Sequence, residues 1–134
     1  MAGLKVYTSL HYLHGITLSC YGDNAERDHH GEWMEEGFDV ACPKDYLVIG
    51  LYGYRSFYVN RIGLICKSTN TFKNIIMTPV YGGGGVGGEY HEFKCYGGYA
   101  VSGLDVISSY SYVYGICVKC EKIANLKKFY DGFE

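Results

Sequence analysis

The chain has 134 residues and a formal net charge of −2, with 48% apolar and 19% charged residues. This composition predicts one packed domain over residues 1–134 and excludes a disordered chain. Nucleic acid is excluded as a partner because binding to phosphates needs a dense basic patch. Membrane insertion is excluded because no apolar run approaches the roughly 20 residues that cross a bilayer.

Residue usage points to strands. The chain has 19 glycines and 15 tyrosines but only two prolines. Tyrosine is frequent in strands, and glycine tolerates the backbone angles of tight turns. We therefore predict an all-β fold.

The beginning of the chain and its cysteine content give opposite indications of the cellular compartment. "MAGLKVYTSLHYLHG" lacks the basic head and continuous apolar stretch of a signal peptide. Six cysteines in a small chain indicate an oxidising compartment. Either a signal has been removed and the protein is extracellular, or it is intracellular with reduced thiols. We favour the secreted, extracellular alternative.

Three segments of nine residues align without gaps, and each opens with Tyr and closes with Cys. They are "YLHGITLSC" ending at Cys20, "YVNRIGLIC" ending at Cys66 and "YVYGICVKC" ending at Cys120. A Gly-Leu pair lies upstream of each segment. Self-similarity of this kind predicts three structural repeats, called units one to three below.

The stretch "YGDNAERDHHGEWMEE", which follows unit one, contains the pair His29-His30 and six carboxylates. A zinc site needs convergent ligands, and a calcium loop needs a fixed spacing that this stretch lacks. We predict a solvated acidic loop and no metal.

Units two and three extend further upstream in the same register, so that Cys42 aligns with Cys95. Equivalent positions in repeated units should have equivalent partners, which predicts the disulfides Cys42–Cys66 and Cys95–Cys120. The two remaining cysteines, Cys20 and Cys117, are paired by elimination.

"VYGGGGVGGEYHEF" carries six glycines in the seven positions from Gly82 to Gly88. The run lacks the Gly-Lys-Ser/Thr ending of a phosphate loop, and a strand-like segment follows it where a dinucleotide site needs a helix. Nucleotide binding is therefore disfavoured, and we predict no cofactor. The glycines instead begin unit three, where the backbone turns sharply before a strand.

The C-terminal tail, residues 121–134, has the sequence "EKIANLKKFYDGFE" and no counterpart in the repeats. We predict that it forms either a helical turn or a strand that completes the first sheet, because unit one lacks its front half.

Several of these motifs resemble two known families. "LHGITLSC", "CPKDYLVIGL" and "GGGGVGGEYHEFKCYGGYAVSGL" resemble the repeats of vitelline membrane outer layer proteins. "YLVIGLYGYRSFYVNRIGLI" is similar to the closing hairpin of jacalin-related lectins. Both families share the β-prism, so the resemblance implies three Greek-key sheets around a pseudo-threefold axis.

The resemblance to jacalin-related lectins also implies a sugar site between a Gly-rich loop and the loop before the last strand of the same unit. The residues at these positions are Ser56, Phe57, Tyr58 and Asn60 in unit two, and Gly83, Gly84, Gly85, Gly87, Gly88, Ser111, Tyr112 and Tyr114 in unit three. The family's aspartate is replaced by Asn60 and Tyr114, which predicts weak binding. Alternatively, these aromatic side chains merely pack between strands.

Two function classes follow. The first is a secreted, non-enzymatic, lectin-like protein of an extracellular coat or secretion, with glycans, glycoproteins and copies of itself as partners. The second is a structural, disulfide-stabilised matrix, egg-coat or assembly protein without sugar binding. Catalysis has no support, because nothing fixes a pair of carboxylates across a cleft and no Gly-x-Ser-x-Gly turn occurs.

Overall fold

The computed structural model describes residues 3–8, 13–19, 26–31, 37–71, 73–82, 88–109 and 112–123. These residues contain eleven strands. The strands are β1 (Gly3–Thr8), β2 (Leu13–Ser19), β3 (Glu26–Gly31), β4 (Gly37–Ala41), β5 (Tyr46–Arg55), β6 (Val59–Ser68), β7 (Ile75–Met77), β8 (Tyr81–Gly82), β9 (Glu89–Lys94), β10 (Tyr99–Ser108) and β11 (Val113–Lys122).

The strands form three antiparallel sheets. The first sheet has the order β3-β2-β1-β4, the second has the order β7-β6-β5-β9 with β8 also beside β6, and the third is the hairpin β10-β11. Each sheet is built on one hairpin that ends a repeat: β1–β2, β5–β6 or β10–β11. The prediction of an all-β, β-prism-like fold with a threefold repeat is confirmed.

The units exchange strands. The strand that leads into unit two, β4, pairs with β1 in the first sheet. The strand that leads into unit three, β9, likewise pairs with β5 in the second sheet. The third hairpin differs from the other two, since among the described residues its sheet consists of β10 and β11 alone.

The prediction that the C-terminal tail completes the first sheet falls mostly on residues 124–134, which lie outside the described ranges. Within those ranges the first sheet already has four strands, whereas the third has two.

The inward faces of the three hairpins share one hydrophobic core. Residues buried there include Leu4, Val6 and Ile16 from the first sheet, Val48, Leu51, Ile62 and Leu64 from the second, and Val101, Leu104 and Val113 from the third. Because alternate side chains of a strand point to opposite faces, each hairpin buries one face in this core.

No helix within the described ranges is long and apolar enough to cross a membrane.

Two disulfides lie against this core. Cys42 and Cys66 are joined with an S–S distance of 2.05 Å, and Cys95 and Cys120 with one of 2.02 Å. Both pairs are those that the aligned repeat positions predict. Each bridge closes a loop of about 25 residues, which stabilises a fold by a few kcal/mol in the chain-entropy account.

The proposed bridge between Cys20 and Cys117 is not present, because Cys117 is an exposed free thiol. The physical reason is strand alternation, since Ile116 and Val118 pack against the core and the residue between them must face outward. Pairing by elimination took no account of which face of β11 each cysteine occupies. Cys20 itself lies outside the described residues.

Gly53 permits the close approach of β5 and β6. A Cβ at this position would overlap the backbone carbonyl oxygen of Arg61. By contrast, a Cβ on Gly97, in the loop before β10, would meet nothing within 4 Å.

Gly53→Ala should therefore lower the free energy of unfolding by about 1–3 kcal/mol, because backbone atoms must shift to relieve the overlap. Gly97→Ala should change it by less than about 0.5 kcal/mol. Denaturant unfolding of both variants measures the difference. Equal stabilities would show that β5 and β6 do not pair in this register.

Candidate functional site

Both ends of the glycine run are held by the second hairpin. Gly82, the last residue of β8, pairs with Arg61 on β6, and Glu89, the first residue of β9, pairs with Arg55 on β5. Gly88 has a φ of 117°, in the region that favours glycine. A Cβ on Gly88 would lie 3.2 Å from the amide nitrogen of Asn60.

This placement differs from the predicted grouping. The resemblance placed the glycines beside Ser111, Tyr112 and Tyr114 of unit three, but the ends of the run lie beside unit two because β9 pairs with β5. Gly83, Gly84, Gly85 and Gly87 lie outside the described residues, and so does Ser111.

The tip of the second hairpin is a tight turn held by hydrogen bonds. The backbone N–H of Ser56 donates to the carbonyl oxygen of Tyr58 at 3.0 Å. The hydroxyl of Ser56 donates to the side-chain carbonyl oxygen of Asn60 at 3.2 Å. Phe57, at the end of the turn, is 86% exposed. Asn60 is fully buried, so it supports the turn from behind and offers no surface to a ligand.

An open cleft of about 450 Å³ lies between the hairpin tip and the start of β9, lined by Arg55, Ser56, Gly88, Glu89 and His91. We call it the hairpin-end cleft. The Glu89 side chain is 82% exposed, and its carboxylate lies 3.9 Å from Nε2 of His91. The cleft thus combines a carboxylate, an imidazole, a guanidinium and a hydroxyl around a glycine backbone.

Sequence reasoning missed Arg55, Glu89 and His91. One signal was visible, because Glu89 directly follows the glycine run. Only the pairing of β9 with β5 shows that this carboxylate lies opposite Arg55 at the hairpin end. Asn60 is uncharged, and Glu89 places a negative charge near the same turn.

A tyrosine cluster joins the tips of the second and third hairpins. The rings of Tyr58 and Tyr112 are stacked, with centroids 4.4 Å apart and an interplanar angle of 20°. Tyr114 lies at 5.0 Å from Tyr58 in a tilted arrangement and is 39% exposed. The aromatic candidates of units two and three therefore meet at the hairpin tips. One face of the Tyr58 ring packs against one face of the Tyr112 ring.

A second group of tyrosines lies on the outer face of the second sheet. The Tyr54 ring lies 4.2 Å from the guanidinium carbon of Arg61 and packs edge-on against Tyr90 at 5.5 Å. The hydroxyl of Tyr52 donates to the carbonyl oxygen of Thr78. Burial, and secondarily the charge of Tyr54, raises the pKa of Tyr52 above its ordinary value. The arrangement is a packed surface of aromatic rings and one guanidinium.

The described part of the chain contains no group of three or more His, Cys, Asp or Glu side chains that could hold a metal ion.

The stack of Tyr58 on Tyr112 should fix the two hairpin tips relative to each other. Tyr112→Ala should lower the free energy of unfolding by about 1 kcal/mol or more, since such ring contacts contribute about 0.5–1.5 kcal/mol beyond the buried area. Tyr96→Ala is the matched control, because Tyr96 is 87% exposed and its removal should cost less than about 0.5 kcal/mol. If thermal unfolding showed the same stability for both variants, the two tips would not be coupled.

Comparison with known proteins gives a fold relationship. No family model and no curated protein matches the sequence. Among solved structures, a prostate-specific glycoprotein lectin, WGA16, aligns with a TM-score of 0.68 over 91% of this chain and 82% of its own, at 13% sequence identity. The chain therefore has the fold of a protein that is a lectin, which agrees with the lectin-like part of the resemblance seen in the sequence.

Proposed function

We propose that the protein is a non-enzymatic glycan-binding protein and that the sugar binds in the hairpin-end cleft. The observation that carries this proposal is the convergence of Ser56, Gly88 and Glu89 in one open cleft. Their chemistry matches a sugar, whose neighbouring hydroxyls act as both donors and acceptors of hydrogen bonds.

Each group of the cleft has a role in this proposal. The Glu89 carboxylate accepts hydrogen bonds from two sugar hydroxyls, and such charge-assisted bonds are roughly twice as strong as neutral ones. His91 and Arg55 donate to sugar oxygens. Gly88 contributes backbone atoms to the cleft lining. The partly exposed ring of Tyr114 offers an apolar surface at the neighbouring hairpin tip.

The same cleft supports binding over hydrolysis. Glu89 is the carboxylate that lines it among the described residues, whereas glycoside hydrolysis generally uses two carboxylates that face each other across the bond. The fold likeness to a lectin points the same way. We therefore propose that the cleft binds a glycan and releases it chemically unchanged.

We place the protein outside the cell, in a coat or secretion resembling those of vitelline membrane outer layer proteins. The two disulfides support this location, because such bonds persist in oxidising compartments. The partners are then glycans or glycoproteins.

A structural role without sugar binding is the second candidate. It is favoured by the large exposed rings of Phe57 and Tyr96, which suit self-association. A glycan array separates the two functions, because the structural role leaves the array without signal.

Glu89→Gln should weaken the binding of an array-positive glycan on the order of tenfold, because the neutral amide keeps the shape but loses the charge-assisted bonds, worth about 1.4 kcal/mol for this factor. Glu121→Gln, at an exposed position on β11, is the matched control and should bind as the unmodified protein does. Isothermal titration calorimetry gives both affinities. Unchanged affinity of Glu89→Gln would place the sugar elsewhere.

A further inference from the structure

Two corners of the fold can be compared position by position, because the edge strands β4 and β9 pair with equivalent residues of two hairpins. Leu4 and Leu51 belong to the repeated Gly-Leu pairs. In the first sheet Leu4 pairs with Val40 on β4. In the second sheet Leu51 pairs with Phe93 on β9. Phe93 is therefore equivalent to Val40.

The corner beside β4 is closed by apolar side chains. Val40 is only 2% exposed. Phe38, two residues earlier in β4, stacks on Tyr81 of β8 with ring centroids 6.0 Å apart. Tyr81 in turn packs against the hydrophobic core. Two rings thus line this corner, and the aliphatic side chain beside them is buried.

The corner beside β9 is open by comparison. Phe93 is 51% exposed, although its equivalent Val40 is buried. His91 lies two residues before Phe93 and so occupies the position that Phe38 has in β4. The His91 side chain is 56% exposed. At this corner an imidazole replaces a phenyl ring, and the neighbouring ring of Phe93 is accessible.

The third hairpin shows the same departure on its own side of the corner. Ile116 and Val118 are only partly buried where they pack against the core. Ile62 and Leu64, which occupy the same positions of the repeat in unit two, are 3% and 0% exposed. Apolar surface that is covered in unit two is therefore partly accessible in unit three.

These accessible groups line a single cleft of about 300 Å³ between β9 and β11. Its walls include Phe93, Ile116 and Val118, and its floor includes Leu51 and Ile62 of the second hairpin. We call it the corner cleft. An apolar cavity of about 150 Å³ is large enough for benzene, so the corner cleft can accommodate an aromatic ring with a short substituent.

Arg55 and His91 bring basic groups to the lining of the corner cleft. Among the described side chains, ion pairs join His91 to Glu89 and Lys119 to Asp105. The Arg55 guanidinium takes part in neither of them. It is charged at every physiological pH, because arginine does not lose its proton in proteins.

The carboxylate of Glu92, which also lines the cleft, is directed away from the apolar walls. Glu92 pairs with Tyr52, whereas Phe93 pairs with Leu51 of the core. Neighbouring residues of a strand point to opposite faces, so Glu92 lies on the outer face. There its carboxylate accepts a hydrogen bond from the hydroxyl of Tyr90 at 3.0 Å.

We propose that the corner cleft binds a small organic anion with an apolar body, of the class of an aryl or short alkyl carboxylate. The apolar body packs against Phe93, Ile116 and Val118. The carboxylate accepts hydrogen bonds from Arg55, whose planar guanidinium suits the two oxygens of a carboxylate. This site goes beyond the proposed glycan function and does not depend on it.

Titration of the unmodified, isotope-labelled protein with phenylpropionate, followed by NMR, tests the site. Saturable shifts are expected at the backbone amides of Phe93, Ile116 and Val118, with a Kd on the order of 1 mM or tighter. The neutral phenylpropanol should bind on the order of tenfold more weakly, because it lacks charge-assisted hydrogen bonds. Equal affinities, shifts that spare these amides, or shifts that do not saturate would each overturn the inference.

A pair of variants tests the role of the guanidinium. Arg55→Gln should weaken phenylpropionate binding on the order of tenfold, to the level of phenylpropanol. Lys94→Gln is the matched control, because Lys94 is exposed on β9 and follows Phe93, so its side chain points to the other face. This control should bind as the unmodified protein does. An equal loss in both variants would indicate attraction by overall charge and would overturn the inference.

Glu89→Gln separates this site from the glycan site. Glu89 lies opposite Arg55, so removal of its negative charge should strengthen phenylpropionate binding by about threefold. The same substitution is expected to weaken glycan binding. Weaker binding of phenylpropionate would show that Glu89 holds this ligand and would overturn the inference. Absence of glycan binding would overturn the proposed function alone.

Discussion

The pairing of β9 with β5 is the contact on which the candidate site depends. It brings the leading strand of unit three into the sheet of unit two and places Glu89 opposite Arg55. Without this pairing, the end of the glycine run would not lie beside the turn that contains Ser56. The close approach needs a residue without a side chain at Gly50, where a Cβ would overlap the carbonyl oxygen of Phe93.

A disulfide and a hydrogen bond fix the far end of β9. The backbone N–H of Cys95 donates to the carbonyl oxygen of Ile49 at 2.8 Å, and its sulfur is bonded to that of Cys120. The hydrogen bond ties β9 to the second sheet, and the disulfide ties it to the third hairpin. The tyrosine cluster couples the same two hairpins at the opposite end. Because both ends of this segment are fixed, its residues lose little conformational entropy when a ligand binds there.

Much of the architecture could be predicted from the sequence because the repeats are nearly in register. The aligned endings at Cys66 and Cys120 identify the second strands of two hairpins, and their upstream partners give both disulfides. The exchange of strands could not be predicted, since a repeat shows which segments are equivalent but not which sheet they join. For the same reason the glycine run was grouped with Ser111, Tyr112 and Tyr114, and Arg55 and His91 were missed as neighbours of Gly88. The pairing of Cys117 was wrong because it ignored the alternation of side chains along β11.

The central claim is that the glycan site lies between the second hairpin and the start of β9. The most direct test is a titration of the isotope-labelled protein with an array-positive glycan, followed by NMR. The account predicts the largest shifts at the backbone amides of Ser56, Gly88, Glu89 and His91. Shifts confined to the outer tyrosine face around Tyr54, or to the distal loop around Tyr96, would contradict it.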